Sequence, residues 1–458
     1  MRVARPPDMY ALSQTCLQRK DYNLRMLAAG ASSATVGGDR YIHWDRLRFR
    51  APPPGVTLEE WWLAIKYARL SMTKPLPCTD AAGEPFTLAT PDPLLRYLSE
   101  ADRDLSGRVP IPEELTNPGT RDRYRISASI EEAITSSQLE GASTTRKVAA
   151  EMLRSGRKPT DRGERMIFNN YKAIRLIREM EKDPLTPGAV LQLHRVVTDQ
   201  MLEDPADSGR LRTSDDVAVV DAKTGEVLHQ PPKAGELPKR LAALCDFANE
   251  KTPRSYLHPI VRAVLLHFFL AYDHPFVDGN GRTARALFYW SMARSGYWLC
   301  EFLSISHFLR KAPAEYARSF LYTETDANDT TYFVLSQLAT FQKAIAALHD
   351  YVREKMRLIQ RTQTILRQSH AFNHRQLALL GHAIENPGTV YSVTAHANSH
   401  HVTRMTARSD LNHLAKAGLL TPIRAGRGFV YTVPTDLERR LERLGGGKKA
   451  PRGTARDS

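Results

Sequence analysis

Between residues 121 and 350, apolar residues recur at three- and four-residue intervals in SASIEEAITSSQLEGAS, ERMIFNNYKAIRLIREME, PGAVLQLHRVVTDQML and ELPKRLAALCDFANEK. That spacing gives each segment one apolar stripe, as the helices of a bundle require. HPIVRAVLLHFFLAY is apolar on nearly every side and predicts a helix at the centre of the core. One stretch breaks the helical period. In DVAVVDAKTGEVLHQPP, β-branched residues alternate on both sides of DAKTG, which predicts a β-hairpin turning through Gly225 at positive φ.

The flanks have different textures. Residues 1–120 form an N-terminal region with a Pro run at 52–54 and a helix capped by Thr57, and Trp44, Trp61 and Trp62 are expected to pack it onto the core of 121–350. A basic helical linker is expected at 351–370 and a compact module at 371–434. The module reads helix, helix-turn-helix, two-stranded wing, with a recognition helix at 401–417 whose Val402, Met405, Leu411 and Leu414 face inward. Residues 435–458 form a basic tail without periodicity, expected to be disordered. The fold class is mainly α.

Composition narrows the field. With 458 residues there is room for two or three domains. No window reaches the roughly 18 apolar residues of a membrane span, and no signal-type run follows MRVARPPDMY, so a cytoplasmic protein without membrane contact is expected. Cys16, Cys78, Cys245 and Cys300 lie far apart, which points to reduced thiols. The net charge of +14 favours polyanionic partners without naming one.

The chemistry concentrates in HPFVDGNGRTAR, His274 to Arg285. A glycine-rich loop feeding a helix N-terminus presents backbone N–H groups and the positive end of the helix dipole to an anion. Gly279 and Gly281 allow close approach of a phosphate, and Arg282 and Arg285 can reach the same polyphosphate. Asp278 is suited to holding Mg²⁺ between phosphate oxygens, and His274 to taking a proton from a hydroxyl. These parts together describe phosphoryl or nucleotidyl transfer.

This segment resembles the Fic family motif HPFx(D/E)GNGRxxR at every defined position, and the resemblance extends over 121–350. It implies a Fic-type helical bundle with a β-hairpin flap, and AMP transfer from ATP to a protein Ser, Thr or Tyr hydroxyl. By the same resemblance His274 is the general base, Asp278 coordinates Mg²⁺, and Gly279, Asn280, Gly281 and Thr283 belong to the nucleotide site. Arg282 and Arg285 grip the phosphate tail, and Tyr316 in AEYARSF is an adenosine contact, although Ala317 stands where a second Tyr is common.

SSQLEG at 136–141 resembles the family's inhibitory motif (S/T)xxxE(G/N). Ser136 and Glu140, four apart, share a helix face, and Glu140 is expected to pair with Arg285 in place of the γ-phosphate. Glu140 serving instead to orient water for AMP removal stays open. The hairpin stands where the family docks its target, with Val217, Val219 and Leu228 as candidates. The module at 371–434 resembles a winged helix-turn-helix, in which Arg404, Arg408, Arg424 and Arg427 would face DNA; its use in protein contacts stays open. The expected partners are a protein target, which includes the chain itself, and DNA, with a homodimer left open. A DNA-binding regulator with a nucleotide-sensing core, and a Fic enzyme using another donor, are the alternatives.

Overall fold

The computed structural model describes residues 2–18, 21, 33–105, 118–221, 224–368, 371–385, 389–425, 428–434 and 436–445. The chain divides into two compact units: Met1–Ile111 with Arg125–Ala346, and Pro112–Tyr124 with Ala347–Ser458. Among the described residues no helix is long and apolar enough to cross a membrane.

The N-terminal region contributes α1 (Met9–Leu17), α2 (Trp44–Leu47), α3 (Leu58–Leu70) and α4 (Asp92–Leu105). Thr57 and Glu60 close a reciprocal capping box at the start of α3, so two orphan amides of the first turn are satisfied. Trp62 is fully buried, Trp61 nearly so, and Trp44 packs against the same cluster. Between α3 and α4 runs an antiparallel pair, β1 (Thr73–Thr79) and β2 (Pro85–Ala89). The sequence reading holds no strand here, because Pro75, Pro77 and Pro85 each remove a ladder donor. A two-stranded pair consists only of edges and tolerates that loss. Arg69 at the end of α3 is buried and donates to Ala34 O, Ile42 O and the Tyr332 hydroxyl, tying this region to the helical core.

The core continues with α5 (Pro118–Leu139), α6 (Arg146–Ser155), α7 (Arg162–Glu179) and α8 (Pro187–Val197), then β3 (Val219–Val220) and β4 (Val227–His229). Next come α9 (Leu237–Ala248), α10 (Pro259–Asp273), α11 (Asn280–Arg294), α12 (Ile305–Lys311), α13 (Pro313–Thr325) and α14 (Thr331–Gln368). As its sequence predicts, α10 is buried on every side from Ile260 to Leu270. It packs on α11, and the six-residue link between them is the motif loop. β3 and β4 pair antiparallel, Val219 opposite His229 and Val220 opposite Val227, with Gly225 at φ 69° in the turn.

In the second unit, α15 (His374–Glu385), β5 (Val390–Ser392), α16 (Val393–His400), α17 (Arg404–Lys416), β6 (Thr421–Ala425) and β7 (Gly428–Thr432) build a three-stranded sheet of order β5-β7-β6 beside three helices. Met405, expected inside, is 82% exposed. The inward positions of α17 are Ala407, Asp410, Leu411 and Leu414, because Asp410 is neutralised by Arg375 and an alanine fits where helices approach closely. The tail expected to be disordered carries α18 (Leu437–Gly445), whose Leu437 and Leu441 are buried in this unit's core; residues 446–458 lie outside the described residues.

Candidate functional site

His274 ends α10 in the left-handed region, φ 44°, with its amide donating to Leu270 O. Its Nδ1 faces the Ala271 carbonyl at 3.3 Å, an acceptor only, so Nδ1 carries the hydrogen and Nε2 keeps its lone pair. Burial lowers the pKa of His274 from its ordinary 6.5, which favours the neutral ring with its lone pair available. The backbone around it is fixed by Arg212, whose amide donates to Pro275 O and whose buried guanidinium donates to His274 O, Ser214 O and Pro232 O.

Asn280 pins the loop from the other end. Its Oδ1 accepts the Phe276 amide at 3.0 Å and its Nδ2 donates to Phe276 O at 2.8 Å. The side chain is therefore occupied by the loop, while the first-turn amides of Asn280, Gly281 and Arg282 have no carbonyl within α11 to receive them. Gly279 has φ 83°, and a Cβ there would also meet Thr198 Cγ2 at 2.9 Å. Phe276 stacks on His194, whose Nε2–H donates to Asp278 O at 2.8 Å while Nδ1 accepts from Gly209.

Asp278 Oδ1 accepts from the Gly279 amide and from Arg282 Nη2, leaving Oδ2 with only Arg162 at 4.0 Å. Arg282 is 1% exposed and its Nη1 donates to Val197 O. Thr283 is wholly buried, and its hydroxyl returns to Gly279 O. Arg282 and Thr283 thus face the scaffold under the loop, where they shape it.

Arg285 donates from Nε to the Ser136 hydroxyl at 2.8 Å, and from Nη2 to Ser136 O at 3.0 Å and Glu140 Oε1 at 2.8 Å. Ser136 lies in α5 and Glu140 in the turn that follows, closed by Gly141 at φ 96°. The carboxylate of Glu140 lies so close to Gly281 that any Cβ there would collide with it. Tyr316, on α13, meets His267 Nε2 at 2.8 Å through its hydroxyl; burial pushes its pKa up to about 12. The structure therefore gathers His274, Asp278, Gly279, Gly281, Arg285, Ser136 and Glu140 about one helix N-terminus, and gives Tyr316 a buried partner.

Of the hairpin candidates, Val217 precedes β3, and Val219 and Leu228 are half-buried; the outward apolar residues are Val220 and Val227, 52% and 56% exposed. In the second unit Arg404, Arg408 and Arg424 are exposed and Arg427 lies outside the described residues.

Several residues that shape the site carry no sequence signal. Arg212, His194 and His229 act through contacts to residues distant in sequence. Glu132 is another: fully buried in α5, it accepts from Ser304 Oγ, Ser306 N and Ser306 Oγ, and burial raises its pKa. Only the presence of a charged residue on an otherwise apolar helix face could have marked it.

Residues 184–292 match the Fic/DOC family model. Over 127 residues the chain is 37% identical to Protein adenylyltransferase Fic of Nematostella vectensis, covering 28% of this chain and 27% of that one. It is 33% identical over 117 residues to the Caenorhabditis elegans protein adenylyltransferase, covering 26% and 21%. The chain thus spans about a quarter of the length of these relatives. The crystal structure of a Fic family protein from Desulfovibrio desulfuricans superposes with a TM-score of 0.50 at 21% identity, over 76% of this chain and 97% of that one. That structure shares the helical fold. Together with the motif loop between α10 and α11, these likenesses make residues 184–292 a Fic/DOC family domain.

Proposed function

We propose that the chain is an autoinhibited protein adenylyltransferase that moves AMP from ATP to a Ser, Thr or Tyr hydroxyl of a protein. The observation that carries this reading is the His274 ring, with Nδ1–H held by Ala271 O and Nε2 open, in the same loop as an anion-binding helix N-terminus. In this reading Nε2 accepts the proton as the acceptor oxygen bonds to the α-phosphorus. The bond from that phosphorus to the oxygen bridging to the β-phosphate breaks, and pyrophosphate leaves. The first-turn amides of α11 and the Arg285 guanidinium balance the negative charge.

The single carboxylate Asp278 fits Mg²⁺, which takes one or two carboxylates and completes its shell with phosphate oxygens and water. Asp278 would hold the ion by Oδ2, and the ion would neutralise phosphate charge. Among the described residues no cluster of three His, Cys, Asp or Glu side chains offers an all-protein metal site.

Glu140 occupies the guanidinium that would bind the γ-phosphate, which supports its role as a brake. The hairpin, with Val220 and Val227 outward, supports docking of an extended target segment by strand addition. The exposed Arg404 and Arg408, one helical turn apart on α17, support nucleic-acid contact by the second unit as a separate activity. The enzymatic reading is tested by incubating Glu140→Gly protein with lysate and ATP and mapping modified peptides by mass spectrometry. An adenylyl mass increment on Ser, Thr or Tyr is expected; its absence from every peptide, with ATP consumed to another product, would assign a different transfer.

A further inference from the structure

His229 is the last residue of β4, and it is buried although it belongs to the hairpin. Its two ring nitrogens meet two different elements. Nε2 lies 2.7 Å from Tyr272 O at the end of α10, and Nδ1 lies 2.8 Å from Glu324 Oε2 on α13. The carbonyl is an acceptor only, so Nε2 carries a hydrogen. A neutral ring would then point the Nδ1 lone pair at a carboxylate oxygen at hydrogen-bond distance, which is repulsive. One proton must lie between them, and a carboxylic acid ordinarily gives up its proton about two pH units below imidazole. The proton therefore belongs to the ring.

We propose that His229 is a positioning residue held as an imidazolium, which clasps the base of the hairpin to the end of α10 and to α13 beside His274. The charged groups facing it are consistent with that role. Glu324 approaches from α13; Asp273 and His274 lie at the end of α10, and the Tyr272 ring is 4.5 Å away, centroid to centroid. Asp273 is itself paired with Arg240 at 2.7 Å, which leaves Glu324 as the principal counter-ion. Burial opposes the charge on His229, but the hydrogen bond and charge of Glu324 outweigh it and raise the pKa. The positive ring in turn adds to the burial that lowers the pKa of His274. A single proton thereby sets two properties: the anchorage of the strand that would present the acceptor, and the neutrality of the base. The clasp is complete below the raised pKa of His229 and is lost as pH rises through it.

The meaning of this clasp for catalysis rests on the adenylyltransferase reading, but its test does not. Full-length protein with ¹⁵N-labelled histidine is titrated by NMR, and His229 and His274 are assigned from the His229→Gln and His274→Ala spectra. Both His229 nitrogens are expected at imidazolium shifts at pH 7. In Glu324→Gln, whose amide can donate to Nδ1, His229 should turn into the neutral Nε2–H form, and the His274 titration should move upward for want of its cationic neighbour. Hydrogen exchange of the 219–229 amides, corrected for intrinsic rates, should rise along the His229 titration curve. A neutral His229 at pH 7 overturns the proposal. So does a charged His229 whose titration leaves hairpin exchange unchanged. If the NMR results hold and the chain transfers no AMP, the clasp stands and the catalytic reading falls.

Discussion

Arg285 donates to Glu140 Oε1 at 2.8 Å, joining the second turn of α11 to the residue just beyond α5. The guanidinium is 4% exposed and the carboxylate 33%, so the pair is partly shielded from water. Removing Glu140 costs the fold little, because Arg285 keeps two donations to Ser136. In the adenylyltransferase reading it also frees a donor for the γ-phosphate. Glu140→Gly should raise ATP-dependent labelling by about ten- to a hundredfold, the range of a coupling of roughly 1.4–2.8 kcal/mol. Labelling rates with clickable ATP check this, and equal rates for the two proteins remove the brake.

Glu132 holds the same helix from behind. Glu132→Ala strands the buried Ser306 amide and hydroxyl, while Ser304 keeps Thr135, so unfolding should become easier by about 2 kcal/mol. With α5 loosened, labelling should rise in the wild-type background and stay level in Glu140→Gly. Denaturant melts and labelling assays read the two effects separately. A rise of equal size in both backgrounds would place the action of Glu132 elsewhere than on the brake.

Proline at Val220 locks φ and removes an amide from the short β3 strand. The hairpin is peripheral to the helical core, so the melting temperature should change by only a degree or two while labelling of an external protein drops below a tenth. Calorimetric ATP binding should be retained. Undiminished labelling would exclude strand addition.

The buried imidazoles predict a response to acid. Burial lowers the pKa of His43 and His194 to about 4 and that of His267 to about 3, against an ordinary 6.5. The unfolded chain therefore binds more protons than the folded one below pH 6.5, and stability falls as pH falls from 6.5 toward 4. His229, with its raised pKa, acts in the opposite sense, but in the window above pH 6.5, and contributes no further change below it. Melting temperatures at pH 7.5, 6.5 and 5.0 should not fall over the first step and should drop over the second. A melting temperature that rises at pH 5.0 contradicts the burial of neutral rings.

The helical pattern and the hairpin were legible because each is a local periodicity, and the motif loop because its residues are consecutive. Gly225 could be placed in a turn because DAKTG admits few conformations. Asn280 is different: its type is visible, but only the fold shows its amide spent on Phe276. Met405 misled because hydrophobicity was equated with burial, whereas Ala407 and a neutralised Asp410 fill the inner face of α17. His229, Arg212 and Glu132 were illegible for one shared reason. Each is a lone polar residue whose contact with α10, its motif loop or the segment after α11 spans about 40 to more than 170 positions, and nothing in its neighbourhood encodes it.

The central claim is transfer of AMP with His274 as base. The direct measurement incubates Glu140→Gly and Glu140→Gly/His274→Ala with ATP radiolabelled at either the α- or the γ-phosphate and follows label on protein. Label from the α-phosphate only, lost with His274→Ala, is the expected result. Label from the γ-phosphate, or α-label that survives His274→Ala, would contradict it.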